Sequence, residues 1–540
     1  MGQAATPYRP VNHIRVVTAA SLFDGHDAAI NIMRRILQSS GAEVIHLGHD
    51  RSVSEIVVAA VQEDAQAIGL SCYQGGHMEF FIYMVDLLRR YGAPHIKVFG
   101  GGGGVIVPEE IKELEAYGAT KIYSPEDGQK LGLQGMINHF LRECDFATSD
   151  GSINGDLSEL HPGNWRFIAN SITALEVAKA QGDGNLGAIR SKLKEKIGDR
   201  IVPVLGITGT GGAGKSSLTD EIVLRFLNDQ PDKTIGIISV DPTRRKTGGA
   251  LLGDRIRMNS IHTNRVYYRS MATRTQGMEV PHHMEEAIEI LKAAGFDLVI
   301  VETAGIGQGD AAIVPLCDVS LYVMTSEFGA QSQLEKIDML DFADLVAVNK
   351  YDRMGSEDAI HDVRKQMQRN RAEFSKRLED FPVYGTIASR FNDDGVTALY
   401  VGIVEKINEK TSTNWTTCLS GNPEKKPSSR TIIIPLERIG YLSEIADSVR
   451  KYHTWGQEQI DLVRRLWHLD QTVKALREGG IDEESEPIEK IKHLQEDIES
   501  KFDPRALRLV GEWDDIKEAY SGNDYVYTVR GKEIRTPLKV

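Results

Sequence analysis

Apolar and polar positions alternate in blocks along the first 145 residues, with short apolar runs separated by amphipathic stretches. The runs IRVVTAA, EVIHLG, AIGLSC, IKVFGG and KIYSP have strand length and the apolar density of strands covered on both faces. Between them, Asp27 to Gln38 sets Ile30, Met33 and Leu37 on one helical face, and Ser52 with Glu55 makes the capping pair of a second helix. Five such strand-helix units predict an α/β domain with a parallel, doubly wound sheet over residues 1–145. The stretch 146–164 is rich in Asp, Ser and Gly, follows neither period and is expected to be a linker.

A second α/β pattern follows. Residues 165–196 read as helix, and the runs VPVLGITG, TIGIISVD, LVIVET, VSLYVMT, LVAVNK and VYGTIAS supply strands for a domain over 165–418. Past the loop CLSGNPEKKPSSR, a short IIIP run leads into amphipathic helical patterns over Glu437–Leu476 and, in an acidic stretch, Ser485–Phe502. Residues 419–540 are therefore expected to form a helical connector.

Composition narrows the partners. With 41% hydrophobic and 26% charged residues the chain reads as globular, and its formal charge of −14 removes any global attraction for nucleic acid. Four scattered cysteines without a paired spacing suit a reducing cytoplasm. No run is long and apolar enough to span a bilayer. MGQAAT fits the loose N-myristoylation pattern, as small polar N-termini often do. A cytoplasmic protein without nucleic-acid or membrane partners is expected.

Two motifs carry chemistry. Gly209 to Ser216 fits Gly-x-x-x-x-Gly-Lys-Ser after an apolar strand and before a helix, the setting in which backbone N–H groups wrap phosphates. Lys215 adds charge at the terminal phosphates, and the Ser216 hydroxyl suits magnesium. Asn349-Lys350-Tyr351-Asp352 closes a later strand; the Asp352 carboxylate can accept from the ring N–H and amine of guanine, donors adenine lacks in that arrangement. Between these, LVIVETAGIGQGD puts Glu302 where an acidic magnesium or water ligand belongs, and Gly305 near the terminal phosphate. Asp241 ends another strand, as a ligand or as a turn residue, and a glycine-bearing loop follows it to Asp254 and Arg257. Gln308 could orient water or serve only structure.

The second motif, Asp24-Gly25-His26, lies at the end of the first strand, on the edge where doubly wound sheets bind ligands, with Ser71 and the run Gly100–Gly104. An imidazole there can ligate a metal while a carboxylate fixes its other nitrogen; equally, Asp24 could cap a helix beside an incidental His26. His282-His283 reads as a helix start rather than a metal site.

GTGGAGKSS, VDPTRRKTGGALLGD, VETAGIGQ and NKYD together resemble the G-protein chaperones that load adenosylcobalamin-dependent acyl-CoA mutases. That resemblance implies phosphate binding by Gly212, Ala213, Gly214, Lys215, Ser216 and Ser217, with Arg257 reaching the nucleotide and Asn349, Lys350, Tyr351 and Asp352 holding the base. It implies magnesium on Ser216, the Val240 carbonyl, Asp241, Asp254, Glu302 and Thr303, and GTP hydrolysis with Lys215 and Glu302 as the catalytic pair. LFDGHDAA, LSCYQGGH and FGGGGGVIVPEE resemble the cobalamin-binding domain of the mutases, with Ala29 and Tyr73 departing from its landmark glycine and leucine. This likeness implies His26 on cobalt, Asp24 behind it, and Ser71, Gly103 and Gly104 around the displaced nucleotide tail.

In this order, a flavodoxin-like (Rossmann-type) cobalamin-binding domain followed by a P-loop GTPase domain and a connector resembles the fused isobutyryl-CoA mutases, which continue into a substrate-binding barrel. The implied cofactors are adenosylcobalamin and Mg2+, with GTP as substrate. The implied partners are the mutase barrel, an adenosyltransferase delivering the cofactor, and further copies of the chain. Because the sequence stops before a barrel, the chain alone is expected to rearrange no acyl-CoA. Two other readings are a cobalamin carrier or sensor with a regulatory G-domain, and a metabolic P-loop kinase fused to a flavodoxin-like domain; NKYD argues against the kinase.

Overall fold

The computed structural model describes residues 6–538 apart from 154, 183–185, 245, 275–279, 306–310, 330, 421–423, 429–440, 483 and 530–531. Gln308, the IIIP run and the start of the connector pattern at Glu437 lie outside the described residues. The chain divides into two compact units, 1–436 and 437–540.

The first unit holds two parallel sheets. β1 (Arg15–Ser21), β2 (Glu43–Arg51), β3 (Ala67–Ser71), β4 (Lys97–Gly101) and β5 (Lys121–Tyr123) occupy the expected runs. They alternate with α1 (Ala28–Ser39), α2 (Val53–Gln62), α3 (His77–Arg90), α4 (Pro108–Tyr117) and α5 (Pro125–Cys144). Every side chain of β1 and β3 is buried, as the continuous apolar runs require of central strands. The Ser52–Glu55 capping box forms as expected, with both reciprocal hydrogen bonds present. The stretch 146–164 contains one 3-10 turn, Leu157–Glu159, and is tied down where Thr148 donates to Asp64 and Asn170 donates to the Thr148 carbonyl.

The second sheet contains β6 (Val204–Gly209), β7 (Ile235–Asp241), β9 (Val266–Ala272), β10 (Leu298–Glu302), β11 (Val319–Thr325), β12 (Leu345–Asn349) and β13 (Val383–Thr386), in the order β13-β12-β11-β6-β10-β7-β9. The expected helix over 165–196 is two, α6 (Trp165–Gln181) and α7 (Leu186–Ile197); α8 (Lys215–Asp229) and α9 (Met284–Ala294) follow. His283 is the N-cap residue of α9, as its reading as a helix start requires.

In this unit two strands escaped the sequence reading. β9 carries Arg269, which is fully buried and donates to the Gln62 carbonyl and Thr173 Oγ1, so a charged residue sits in a core strand. The three-residue β8 (Ala250–Leu252) leaves the G-domain sequence to become the sixth strand of the first sheet, whose order is β5-β4-β3-β1-β2-β8.

The second unit has a long helix over Tyr441–Glu478, shorter helices over Glu486–Ser500, Pro504–Gly511 and Trp513–Ala519, and an antiparallel hairpin of β14 (Asp524–Val529) and β15 (Lys532–Pro537). The hairpin is an addition to the expected helical connector. No described helix is long and apolar enough to cross a membrane.

Candidate functional site

Strand order reverses between β3 and β1, and the carboxyl ends of these strands open onto one crevice, where doubly wound sheets hold ligands. The loop between β1 and α1 places Asp24 and His26 there. Asp24 is fully buried: its Oδ1 accepts from the His26 backbone N–H at 2.9 Å and faces His26 Nδ1 at 2.8 Å, and its Oδ2 accepts from the Tyr73 N–H at 2.6 Å. A carboxylate can only accept, so Nδ1 carries the ring proton and Nε2 keeps its lone pair. The imidazole is 69% exposed, so the buried carboxylate holds an outward-facing ring whose free nitrogen could meet a metal.

Beside it lies a cavity of about 360 Å³ between α1, α5 and the strand ends, lined by Met33, Ser71, Phe99, Gly103, Leu133 and Phe140 among others. Ser71 is buried and its Oγ has no hydrogen-bond partner among the described residues. An orphaned hydroxyl in a mostly apolar slot fits a ligand that is flat and greasy with a polar point, as the tail of cobalamin is. Ala29 and Tyr73, the two departures from the family pattern, also line the slot. Gly104 is absent from that lining, and a Cβ built on it meets nothing within 4 Å, so of the two expected glycines only Gly103 bounds the cavity.

The phosphate loop joins β6 to α8, with Gly214 at the helix N-cap in the left-handed region at φ 88°. A Cβ on Gly214 would stand 2.6 Å from Asn349 Nδ2, and one on Gly305 would stand 2.0 Å from Lys215 Nζ, so both glycines admit close approach. Asn349 braces the loop: its Nδ2 donates to the Ala213 carbonyl, and its Oδ1 accepts from Thr386 Oγ1 and the Ala388 N–H. Lys350 Nζ reaches the Gly212 carbonyl, Tyr351 packs against Gly385, and Asp352 is exposed. Lys215 Nζ folds onto the Gly209 and Thr210 carbonyls at 3.3 and 3.4 Å.

Ser216 Oγ lies 3.1 Å from Asp254 Oδ1 and 2.8 Å from Glu302 Oε1. One hydroxyl proton cannot serve both carboxylates. Burial and the neighbouring Asp254 push Glu302 above the ordinary carboxylate range against the pull of Lys215; burial and Asp254 do the same to Asp241. A divalent cation taking the hydroxyl oxygen and the carboxylates would relieve both conflicts, so this donor set fits magnesium. Among the described residues no three His, Cys, Asp or Glu side chains gather as a metal cluster, so hydroxyl and water ligands would complete the shell. The Thr303 hydroxyl turns instead to Thr208 Oγ1 at 2.8 Å, Val240 lies within β7, and Arg257 is largely exposed beside Asp254.

A carboxylate-backed histidine over an apolar slot, joined to a phosphate loop with a guanine-type Asn-Lys-x-Asp element, defines a B12-binding domain coupled to a P-loop GTPase. The family described as B12 binding domain matches residues 14–126, and that described as Methylmalonyl Co-A mutase-associated GTPase MeaB matches residues 168–426. Over nearly its whole length the chain is similar to the fused isobutyryl-CoA mutases, and it carries the B12 binding and MeaB-type GTPase domains in that order. It is 56% identical to the fused isobutyryl-CoA mutase of Geobacillus kaustophilus, over 98% of this chain and 49% of that protein. It is 54% identical to the one from Cupriavidus metallidurans, over 99% of this chain and 48% of that protein. Over 38% of this chain and 53% of its partner it is 30% identical to a methylmalonic aciduria type A homolog of Caenorhabditis elegans. The chain spans about half the length of the fused mutases it matches.

Proposed function

We propose that this chain binds adenosylcobalamin through His26 and Mg2+-GTP through the phosphate loop, and that GTP hydrolysis gates loading and protection of the cofactor for an acyl-CoA mutase barrel. In the whole protein the reaction served is the interconversion of isobutyryl-CoA and n-butyryl-CoA. The observation that carries this reading is the buried Asp24 holding His26 Nε2 outward beside the Ser71 slot, in the same compact unit as the guanine-type G-site.

Bound adenosylcobalamin supplies the radical chemistry of such mutases. The chain's own residues do the binding. Asp24 fixes the His26 tautomer, Ser71 offers the tail a hydrogen bond, and the walls of the slot exclude water from it. At the other site, backbone N–H groups from Gly212 to Ser217 hold phosphate oxygens, and Lys215 exchanges its carbonyl contacts for the terminal phosphates. Ser216, Asp241, Asp254 and Glu302 hold the cation, directly or through bound water, while Asp352 reads the guanine edge.

The test is equilibrium titration of the chain with adenosylcobalamin, GTP and ATP. The reading expects cobalamin bound with imidazole on cobalt, a clear preference for GTP, and GTP turnover lost in Lys215→Ala. Equal affinity for ATP, or a cobalamin spectrum untouched by His26→Ala, would overturn it. A carrier or sensor would instead bind both ligands and transfer no cofactor to a mutase barrel.

A further inference from the structure

The two sites share one loop. It runs from Asp241 to Asp254, so both of its ends are carboxylates of the proposed magnesium site. Gly253 N–H donates to Asp241 Oδ2 at 2.9 Å, and Asp254 lies against Ser216 Oγ and accepts from Ser239. Its middle belongs to the other domain: β8 pairs with β2 in the register Glu43 to Ala250, Val44 to Leu251 and Ile45 to Leu252. The Ala250 N–H donates to the Ala42 carbonyl at 3.2 Å.

Gly249 presses closer still. A Cβ there would lie 2.1 Å from the Gln38 carbonyl oxygen and 2.8 Å from that of Ala42. Gln38 is in the last turn of α1, the helix that starts two residues after His26. The loop thus touches the far end of the element that follows the cobalt ligand.

The residue after Asp254 closes a second link. Arg255 is buried and donates to Glu63 Oε1 at 3.2 Å and to Gln62 Oε1 at 2.5 Å, both at the end of α2. Glu63 is fully buried and also accepts from Arg15 at 2.7 Å and from the N–H and hydroxyl of Ser270. Removing one partner from such a buried pair leaves an uncompensated charge, so Asp254 cannot move far without disturbing the end of α2.

We propose that the loop 241–254 with Arg255 couples the two sites: magnesium nucleotide on Asp241 and Asp254 clamps β8 onto β2 and Gly249 onto α1, so nucleotide and cobalamin each set the affinity for the other. This rests on the proposed function above and adds the element that carries it. Arg255 and Glu63 are positioning residues in this scheme. Glu63 acts on the G-site from within the cobalamin-binding domain. Linkage requires the coupling factor to be the same in both directions, and factors of about 5 to 150 are typical of coupled sites.

The experiment measures adenosylcobalamin affinity of the full chain by absorption, with and without Mg2+ and a non-hydrolysable GTP analogue. It also measures analogue affinity with and without adenosylcobalamin. We expect one factor of at least about fivefold, equal in both directions. Gly249→Ala adds only a methyl in a backbone region open to alanine, and Arg255→Lys keeps the charge while losing the fork. Each should bring the factor toward one and raise the Mg2+ concentration needed for analogue binding, with guanine preference unchanged. Wild-type protein that binds both ligands with a factor of one overturns the coupling alone. Folded variants that keep the full factor overturn its assignment to this loop. A chain that binds only one ligand, or neither, overturns the reading on which the coupling rests.

Discussion

Replacing Asp24 by Asn should weaken cobalamin binding about 10- to 100-fold while leaving the fold intact, and the structure supplies the reason. The carboxylate faces three N–H groups, two on His26 and one on Tyr73, at 2.6–2.9 Å. An Asn side chain keeps the shape but has one acceptor oxygen and a donor amide. With its oxygen on the Tyr73 N–H, its NH2 faces His26 Nδ1, which can accept only by moving the ring proton to Nε2. That blocks the atom that would meet cobalt. Loss of a carboxylate behind a metal-ligating histidine costs about 10- to 100-fold in metal affinity, equivalent to about 1.4–2.7 kcal/mol. Cobalamin absorption titration reads both the affinity and the axial ligand, and thermal unfolding checks the fold. An affinity within about threefold of wild type with an unchanged imidazole-bound spectrum would refute the tautomer argument.

Three further outcomes follow from particular contacts. Asp352→Ala should erase the preference for GTP over ATP, a loss of about 1–3 kcal/mol from the unpaired guanine donors, read by calorimetry with both nucleotides. Ser71→Leu, filling the slot of about 360 Å³ from its polar wall, should lower cobalamin affinity well beyond Ser71→Ala, which loses one hydrogen bond; equal affinities would place the tail elsewhere. Burial alone would raise the Glu43 carboxyl, but Arg274 and Arg15 outweigh it and hold it at about 2. Because this folded value lies below the unfolded one, the carboxylate contributes about 3 kcal/mol above about pH 4.5, and this is lost as pH falls toward 2. Acid unfolding should therefore be shallower in Glu43→Gln, which should also be less stable at neutral pH.

Much of this was legible because it follows local rules. Continuous apolar runs gave the central strands, the Gly-Lys-Ser loop announced its strand and helix, and Asp24 two residues from His26 allowed only a short reach between carboxylate and ring. What escaped is non-local. β8 has three residues, too few to show a period, and its partner strand lies about 200 residues earlier in another domain. β9 was hidden by Arg269, whose burial is tolerable only because α2 and α6 supply acceptors that the sequence does not advertise. Glu63 likewise reads as an ordinary helix-end carboxylate until Arg15, Arg255 and Ser270 converge on it.

On the proposed function, nucleotide state governs how tightly this chain holds adenosylcobalamin. The most direct test is the rate of cobalamin release, followed by stopped-flow absorption after mixing with excess competing cobalamin, in the presence of no nucleotide, Mg2+-GTP or a non-hydrolysable analogue. Release should differ between the three conditions, with the GTP trace starting with the analogue trace and moving away from it as hydrolysis proceeds. Identical release rates under all three conditions, from protein shown to bind both ligands, would contradict it.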